Sequence, residues 1–279
     1  MSKKYFLLAL LPFFFACDYI EEEDRLIEVE IPGIDPTDET VIAKNVLIED
    51  FTGQRCVNCP KGTKVIEELM NDKNFGNRII AVGIHSGPFG KSVAGNLLPL
   101  ATQTGCDYYD YWKVEQQPGA LINRRNPVIY SVTEWTSAVS KELTATADLN
   151  LQAYLTLFQN ELRLKVLAEA VAQVNGRMQV WVLEDSVVGV QTLPNAPDED
   201  PSWTGGNKRD YVHNHVFRKA VNQPMGDEFV MAEGEMKELE FTQPIYEAWK
   251  PEHLSVVVIV YNNDGVIQVV KRYVELVVE

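Results

Sequence analysis

The period of apolar positions along the chain changes near residue 146. Upstream, Val46-Leu47-Ile48-Glu49-Asp50-Phe51 is a near-continuous apolar run with an acid-tipped end, the pattern of a buried strand. Val65, Ile66, Leu69 and Met70 then recur at helical spacing from Pro60 to a stop at Asn71-Asp72 and Gly76. Arg78 to His85 reads as a second buried strand, ending at Ser86-Gly87-Pro88. Strand, helix and strand of this length predict a right-handed parallel crossover, and residues after the first strand then sit at the carboxyl edge where such sheets keep their sites. Asn96 to Trp112 predicts a helix broken by Pro99 and Gly105, with Tyr108, Tyr109, Tyr111 and Trp112 as packing residues. Ser131-Val132-Thr133-Glu134 is a capping box opening a helix through Leu143.

Beyond about residue 146 the apolar residues alternate, as in half-buried strands: Leu149 to Leu157, Leu162 to Ala168, and Met178 to Val182. Asn175-Gly176 and Asn263-Asp264-Gly265 are turn signals. With His253 to Tyr261 and Val266 to Val278 added, about seven strands and no strong helix predict an antiparallel Ig-like β-sandwich. Thr192 to Asn207, rich in Pro, Asp and Gly, predicts a long loop.

A length of 279 residues with 46% apolar and 23% charged content suits two globular domains, here 41–145 and 146–279. A formal charge of -15 argues against nucleic acid as partner and against electrostatic adhesion to anionic lipid. A membrane would be reached through the start of the chain. Lys3 and Lys4 precede an apolar stretch from Tyr5 to Ala16, the pattern of a signal peptide. Phe14-Phe15-Ala16-Cys17 resembles the lipobox of bacterial lipoproteins, with Phe14 bulkier than the usual Leu, and implies acylation of Cys17. An ordinary secretory signal cleaved near Ala16 is the alternative. The acidic run Asp18 to Asp24 is similar to a surface-export signal of outer-membrane lipoproteins, although Asp18 directly after the cysteine also resembles an inner-membrane retention signal. Four acids in a row favour export. Residues 18–40 read as an acidic tether.

Four cysteines are too few for a disulfide-built scaffold. Cys56 and Cys59 stand at C-x-x-C spacing between the first strand and the first helix, and a place at that helix's N-terminus, behind the Arg55 cation, favours a Cys56 thiolate. Asp50 ends the strand beneath the pair, where its carboxylate can accept a proton from Cys59. The frame Asp50-Phe51 followed by Cys56 and Cys59 resembles the thioredoxin family. Arg55 replaces the usual Trp, Val57-Asn58 replaces Gly-Pro, and Pro60 follows the second cysteine. Those flanks tune reduction potential, so the direction of electron flow does not carry over. The resemblance implies a cis Pro118 facing the pair as the contact for a substrate strand.

Taken whole, the chain resembles the outer-membrane-protein-twenty-eight-related family of lipoproteins, which join a thioredoxin-like domain to a β-sandwich. The words that carry it are Asp50 to Pro60, Gln117-Pro118-Gly119 followed by Asn123-Arg124, and Tyr211 to Arg218. The resemblance implies an outer-membrane, surface-exposed location and the domain order, and leaves activity open.

Two functional readings follow. In one, Cys56 is the nucleophile, Cys59 the resolving thiol, Asp50 the proton acceptor, Arg55 the thiolate stabiliser and Pro118 the substrate contact in exchange with extracytoplasmic protein thiols or disulfides. In the other, a static Cys56–Cys59 bridge serves a non-catalytic binding or adhesion module. An accessible Cys56 is required by the first. No cofactor is expected: hydrolase, P-loop and dinucleotide signatures are missing. His213 and His215, two apart in an expected strand, are weak metal candidates without a third ligand. Cys106 reads as a buried free thiol.

Overall fold

The computed structural model describes residues 41–275, which form one compact unit. The signal segment, Cys17, the tether and the last residues of the final expected strand lie outside them. The chain runs β1 (Ile42–Ala43), β2 (Val46–Thr52), α1 (Cys59–Met70), β3 (Ile79–His85), α2 (Gln103–Tyr111), β4 (Gly119–Ile122), β5 (Tyr130–Ser131), α3 (Trp135–Glu142) and β6 (Thr146–Ala147). Ten strands follow: β7 (Leu149–Phe158), β8 (Glu161–Ala170), β9 (Val174–Glu184), β10 (Val187–Asn195), β11 (Thr204–His213), β12 (Val216–Ala220), β13 (Asp227–Met231), β14 (Met236–Pro244), β15 (Leu254–Asn262) and β16 (Gly265–Tyr273).

Every residue of β2 and β3 is buried, as their continuous apolar sequences require. The two strands pair in parallel with α1 between them in sequence. Leu47 and Phe51 point to one side and Val46 and Ile48 to the other, because successive side chains alternate. The Val46 side packs on α1 through Ile66 and Leu69 and on α3 through Trp135 and Val139. The Leu47 side packs on Tyr108 of α2 and on Trp181, Phe217 and Ile259.

One mixed sheet joins both halves of the sequence, in the order β16-β15-β9-β12-β3-β2-β4-β5, with β13 also on β9. The seam is β12, antiparallel to β9 and parallel to β3 through Val216 and Gly83, where the Gly83 amide donates to the His215 carbonyl at 2.8 Å. A three-stranded sheet, β14-β8-β7, packs on β9 and β15 through Leu155, Val166, Val180 and Val258. The downstream strands therefore pack as two β-layers, but one layer belongs to the same sheet as β2 and β3.

Several local expectations change. The helix expected from Asn96 begins at Gln103, because Pro99 blocks it and Thr102 caps it, its hydroxyl accepting from the Gly105 amide at 2.9 Å. Asn175-Gly176 is no turn but lies inside β9, where a Cβ on Gly176 would stand 2.3 Å from the Tyr261 carbonyl oxygen. Asn263-Asp264 does form the turn between β15 and β16. The long loop expected over 192–207 is largely strand: β10 and β11 make a separate two-stranded hairpin, leaving 196–203 as its tip.

Candidate functional site

Cys56 and Cys59 are joined in a disulfide. α1 starts at Cys59 with Pro60 in its first turn, so Cys56 lies three residues ahead of the helix and not on its first turn. Both cysteines are 1% exposed, which departs from the accessible Cys56 that exchange requires. Arg55 is exposed and its guanidinium donates to the Lys91 carbonyl at 2.8 Å, committing it to the loop after β3. That loop also closes on the cysteines' turn: a Cβ on Gly53 would meet the Phe89 backbone at 2.4 Å.

Pro118 follows a cis peptide bond and is buried against α1, where a Cβ on Gly62 would come within 3.3 Å of its ring and 2.7 Å of Trp135. Gln117 anchors the turn by donating to the Thr52 carbonyl at 2.7 Å and the Ser86 carbonyl at 3.1 Å.

The hairpin β10–β11 lies over the cysteines' turn. The Thr192 amide donates to the Gln54 carbonyl at 2.9 Å, and the Gln54 amide nitrogen donates to the Val190 carbonyl at 3.0 Å. Gln191 is buried and its Nε2 donates to the Cys56 carbonyl at 2.8 Å. At the tip, Lys61 pairs with Glu199 at 3.0 Å, Lys64 donates to the Glu199 carbonyl at 2.9 Å, and Lys64 lies 5.9 Å over the Trp203 ring.

Between the hairpin, α1 and the sheet is a cavity of about 40 Å³, lined in part by Asp50, Cys59, His85, Tyr211, His213 and His215. Volume of this order holds two or three waters. Asp50 Oδ1, His85 Nδ1 and His213 Nε2 are buried without a protein partner. Burial pushes the Asp50 carboxyl up to about 8. It pulls His213 down to about 4, and it holds His85 well below the usual histidine range with help from nearby His213 and Arg218. Burial thus favours the protonated form of Asp50 and the neutral imidazoles of His85 and His213.

His213 and His215 do not share a strand face. β11 ends at His213, which turns inward to place its ring 5.1 Å from that of His85. His215 has φ 57° and pairs with Asp185 at 2.9 Å, with Lys271 also on Asp185 at 3.3 Å. That pairing holds Asp185 far below the usual carboxylate range despite its burial. Among the described residues no group of three or more His, Cys, Asp and Glu is arranged to hold a metal ion. Cys106 is a buried free thiol.

Arg124 of the Asn123-Arg124 pair is a structural pin. Its guanidinium forks onto buried Glu49 at 2.8 Å twice, donates to Gln179 at 2.6 Å, and stacks 4.3 Å from the Tyr261 ring. Gln191, Tyr211 and the Lys61–Glu199 pair were not legible as site residues. The signal that could have found them is the alternation Val188-x-Val190 and Tyr211-x-His213 on either side of the Pro/Asp segment.

The family model for outer membrane protein Omp28 matches residues 106–276. Of solved structures, HBP35 of Porphyromonas gingivalis is 16% identical, with 84% of this chain and 76% of that one covered at TM-score 0.64, a likeness of fold. A protein from Agrobacterium tumefaciens is 13% identical over 83% of this chain and 95% of its own, at TM-score 0.50. A domain of the outer membrane lipoprotein Omp28 from Porphyromonas gingivalis is 21% identical over 47% and 90%, at TM-score 0.33. A search of curated proteins finds no match.

Proposed function

Because the chain belongs to the outer membrane protein Omp28 family, we propose that it works as a lipid-anchored binding protein whose Cys56–Cys59 disulfide is a structural bridge in the resting form. Burial of both sulfurs carries this reading. Exchange needs an incoming thiolate to reach a sulfur, and each cysteine is 1% exposed beneath the hairpin. The matched region leaves out Asp50, Cys56 and Cys59, so family membership speaks for location and not for exchange.

Attachment rests on Cys17. Among the described residues no helix is long and apolar enough to cross a membrane, and several acyl chains on one cysteine anchor firmly without one. We read 1–17 as the lipoprotein signal ending at Cys17, 18–40 as a tether that carries the protein to the cell surface, 41–145 as a thioredoxin-like domain and 146–279 as the β-rich domain. The parallel β2-α1-β3 unit and the packing of Pro118 and Trp135 of α3 around Gly62 of α1 support the thioredoxin-like reading.

Thiol–disulfide exchange with extracytoplasmic proteins is the second reading. It is favoured by Asp50, whose carboxyl lines one cavity with Cys59 and is poised near 8 to pass a proton. Two experiments test these readings. Cys17→Ser should move the protein out of the membrane fraction, and retention there would overturn the anchor. Cys59→Ser expressed in cells should trap no partner through Cys56, whereas defined mixed disulfides would establish exchange.

A further inference from the structure

We propose that residues 187–213 are a hinged cover over the Cys56–Cys59 bridge, and that opening of this cover governs when the bridge can be reduced. The inference rests on the closed-disulfide reading above. It goes further by assigning the closure to one movable element.

Three features carry it. The first is the attachment. β9 ends at Glu184 and β12 begins at Val216, and those two residues pair directly in the main sheet. The hairpin is therefore an insertion that leaves and re-enters at one point. At each side of that point stands a residue with left-handed backbone, Ser186 at φ 56° and His215 at φ 57°. The Asn214 side chain accepts from the Ser186 amide at 2.9 Å, and Asp185 accepts from the His215 amide. The root is thus tied to itself, and the hairpin can swing as one piece about two residues while β9 and β12 stay paired.

The second feature is how the hairpin is seated. β10 and β11 pair with each other and form no ladder with the main sheet. Contact with the cysteines' turn comes from hydrogen bonds of Val190, Gln191 and Thr192, and at the tip from the Lys61–Glu199 pair, which is exposed and so weakened by salt.

The third feature is what lies between. The hairpin buries Leu193 and Trp203, but next to the cysteines it closes onto a cavity where Asp50 Oδ1, His85 Nδ1 and His213 Nε2 have no protein partners. Opening would connect that cavity to bulk solvent and let those atoms hydrate freely, which offsets part of the lost contact. A segment held by few buried apolar side chains, here Leu193 and Trp203, opens below the global unfolding free energy.

In the open form an external dithiol reduces the bridge. Its thiolate attacks one sulfur, the Cys56–Cys59 bond breaks, and the other cysteine leaves as a thiolate. The second reagent thiol then resolves the mixed disulfide. The reagent ends as a disulfide and the protein as two thiols, with two electrons and two protons passed to the cysteines.

The test is timed reduction of the full native chain by dithiothreitol, followed by alkylation and peptide mass mapping of Cys56 and Cys59, with Cys106 mapped separately. Glu199→Lys places a cation against Lys61 and Lys64 at the exposed tip. It should speed reduction by about fivefold with an unchanged unfolding midpoint. Gln191→Ala removes the donor to the Cys56 carbonyl and should speed reduction by about tenfold, with faster hydrogen exchange at Thr192. High salt should speed the wild type by screening the Lys61–Glu199 attraction and slow Glu199→Lys by screening its repulsion, so the two rates converge. If both variants loosen Thr192 exchange yet reduce at the wild-type rate, the cover assignment is overturned and the closed disulfide stands. If the wild type already reduces as fast as the chain unfolded in urea, the closed-disulfide reading itself falls.

Discussion

Replacing Asp50 by Asn should stabilise the protein, by an amount that grows with pH. In the fold, Asp50 is wholly buried in the centre of the sheet, paired in register with Gly83 on one side and Ala120 on the other, and burial lifts its pKa from 3.8 to about 8. Between those two values the unfolded chain has lost the proton and the folded chain has kept it. Folding therefore carries a cost that starts near the unfolded pKa, grows by about 1.4 kcal/mol per pH unit, and levels off above the folded pKa. From about pH 5 to about pH 8 the accumulated cost is about 4 kcal/mol. Asn has nearly the same shape and does not ionise, so it escapes this cost. The assay is urea unfolding of wild type and Asp50→Asn at both pH values, with the disulfide intact and ionic strength fixed. The stability gap between the two proteins should widen by about 4 kcal/mol across that range. A gap constant to within about 1 kcal/mol would mean that Asp50 titrates like a solvated acid, and its standing as a group poised near neutral pH to pass a proton would go with it.

Arg124→Met leaves the Glu49 carboxylate, 0% exposed, without its cation and should cost about 3–5 kcal/mol in urea unfolding, most of it recovered in the double variant Arg124→Met/Glu49→Gln. Arg124→Lys should also destabilise, because an ammonium cannot reproduce the fork onto Glu49 or the stack on Tyr261; wild-type stability for Arg124→Lys would refute the pin. His213 titrates in the opposite sense to Asp50. Its folded pKa of about 4 lies below the ordinary 6.5, so the unfolded chain takes up a proton first and stability is lost as pH falls through that interval, by about 3 kcal/mol. His213→Gln should flatten this acid limb between about pH 7 and about pH 4, and an unchanged slope would place His213 in solvent.

Much of the first half was legible because its signals are local. Val46 to Phe51 and Ile79 to His85 are buried on both faces, so apolar continuity alone marks them, and the Ser131–Glu134 box carries its own hydrogen bonds. Asn175-Gly176 misled for the converse reason. The dipeptide favours a tight turn, but the glycine answers a tertiary demand, the close approach of the Tyr261 backbone, that no local pattern contains. The seam through β12 was equally hidden. It rests on one parallel pair, Val216 with Gly83, and five residues of strand carry too little periodicity to declare which sheet they will join.

The hairpin over the cysteines was missed because, Leu193 and Trp203 apart, its composition serves a surface. Val188, Val190 and Val212 face outward, Gln191 faces inward, and Pro and Asp crowd the tip, so the usual apolar-in, polar-out alternation is inverted where it matters. That inversion has a physical reason. A glutamine pointing at backbone carbonyls seats a strand by hydrogen bonds without filling the space behind it, and the space left is the cavity that Asp50, His85 and His213 line. The C-x-x-C spacing does identify where the disulfide forms, yet reactivity at that disulfide depends on a segment more than 130 positions later in the sequence, as the 135-residue separation of Gln191 and Cys56 records. Motif and accessibility part company at that point: the cysteines define the bond, and Gln191, Glu199 and the two left-handed residues at the hairpin root bear on whether a reductant can reach it.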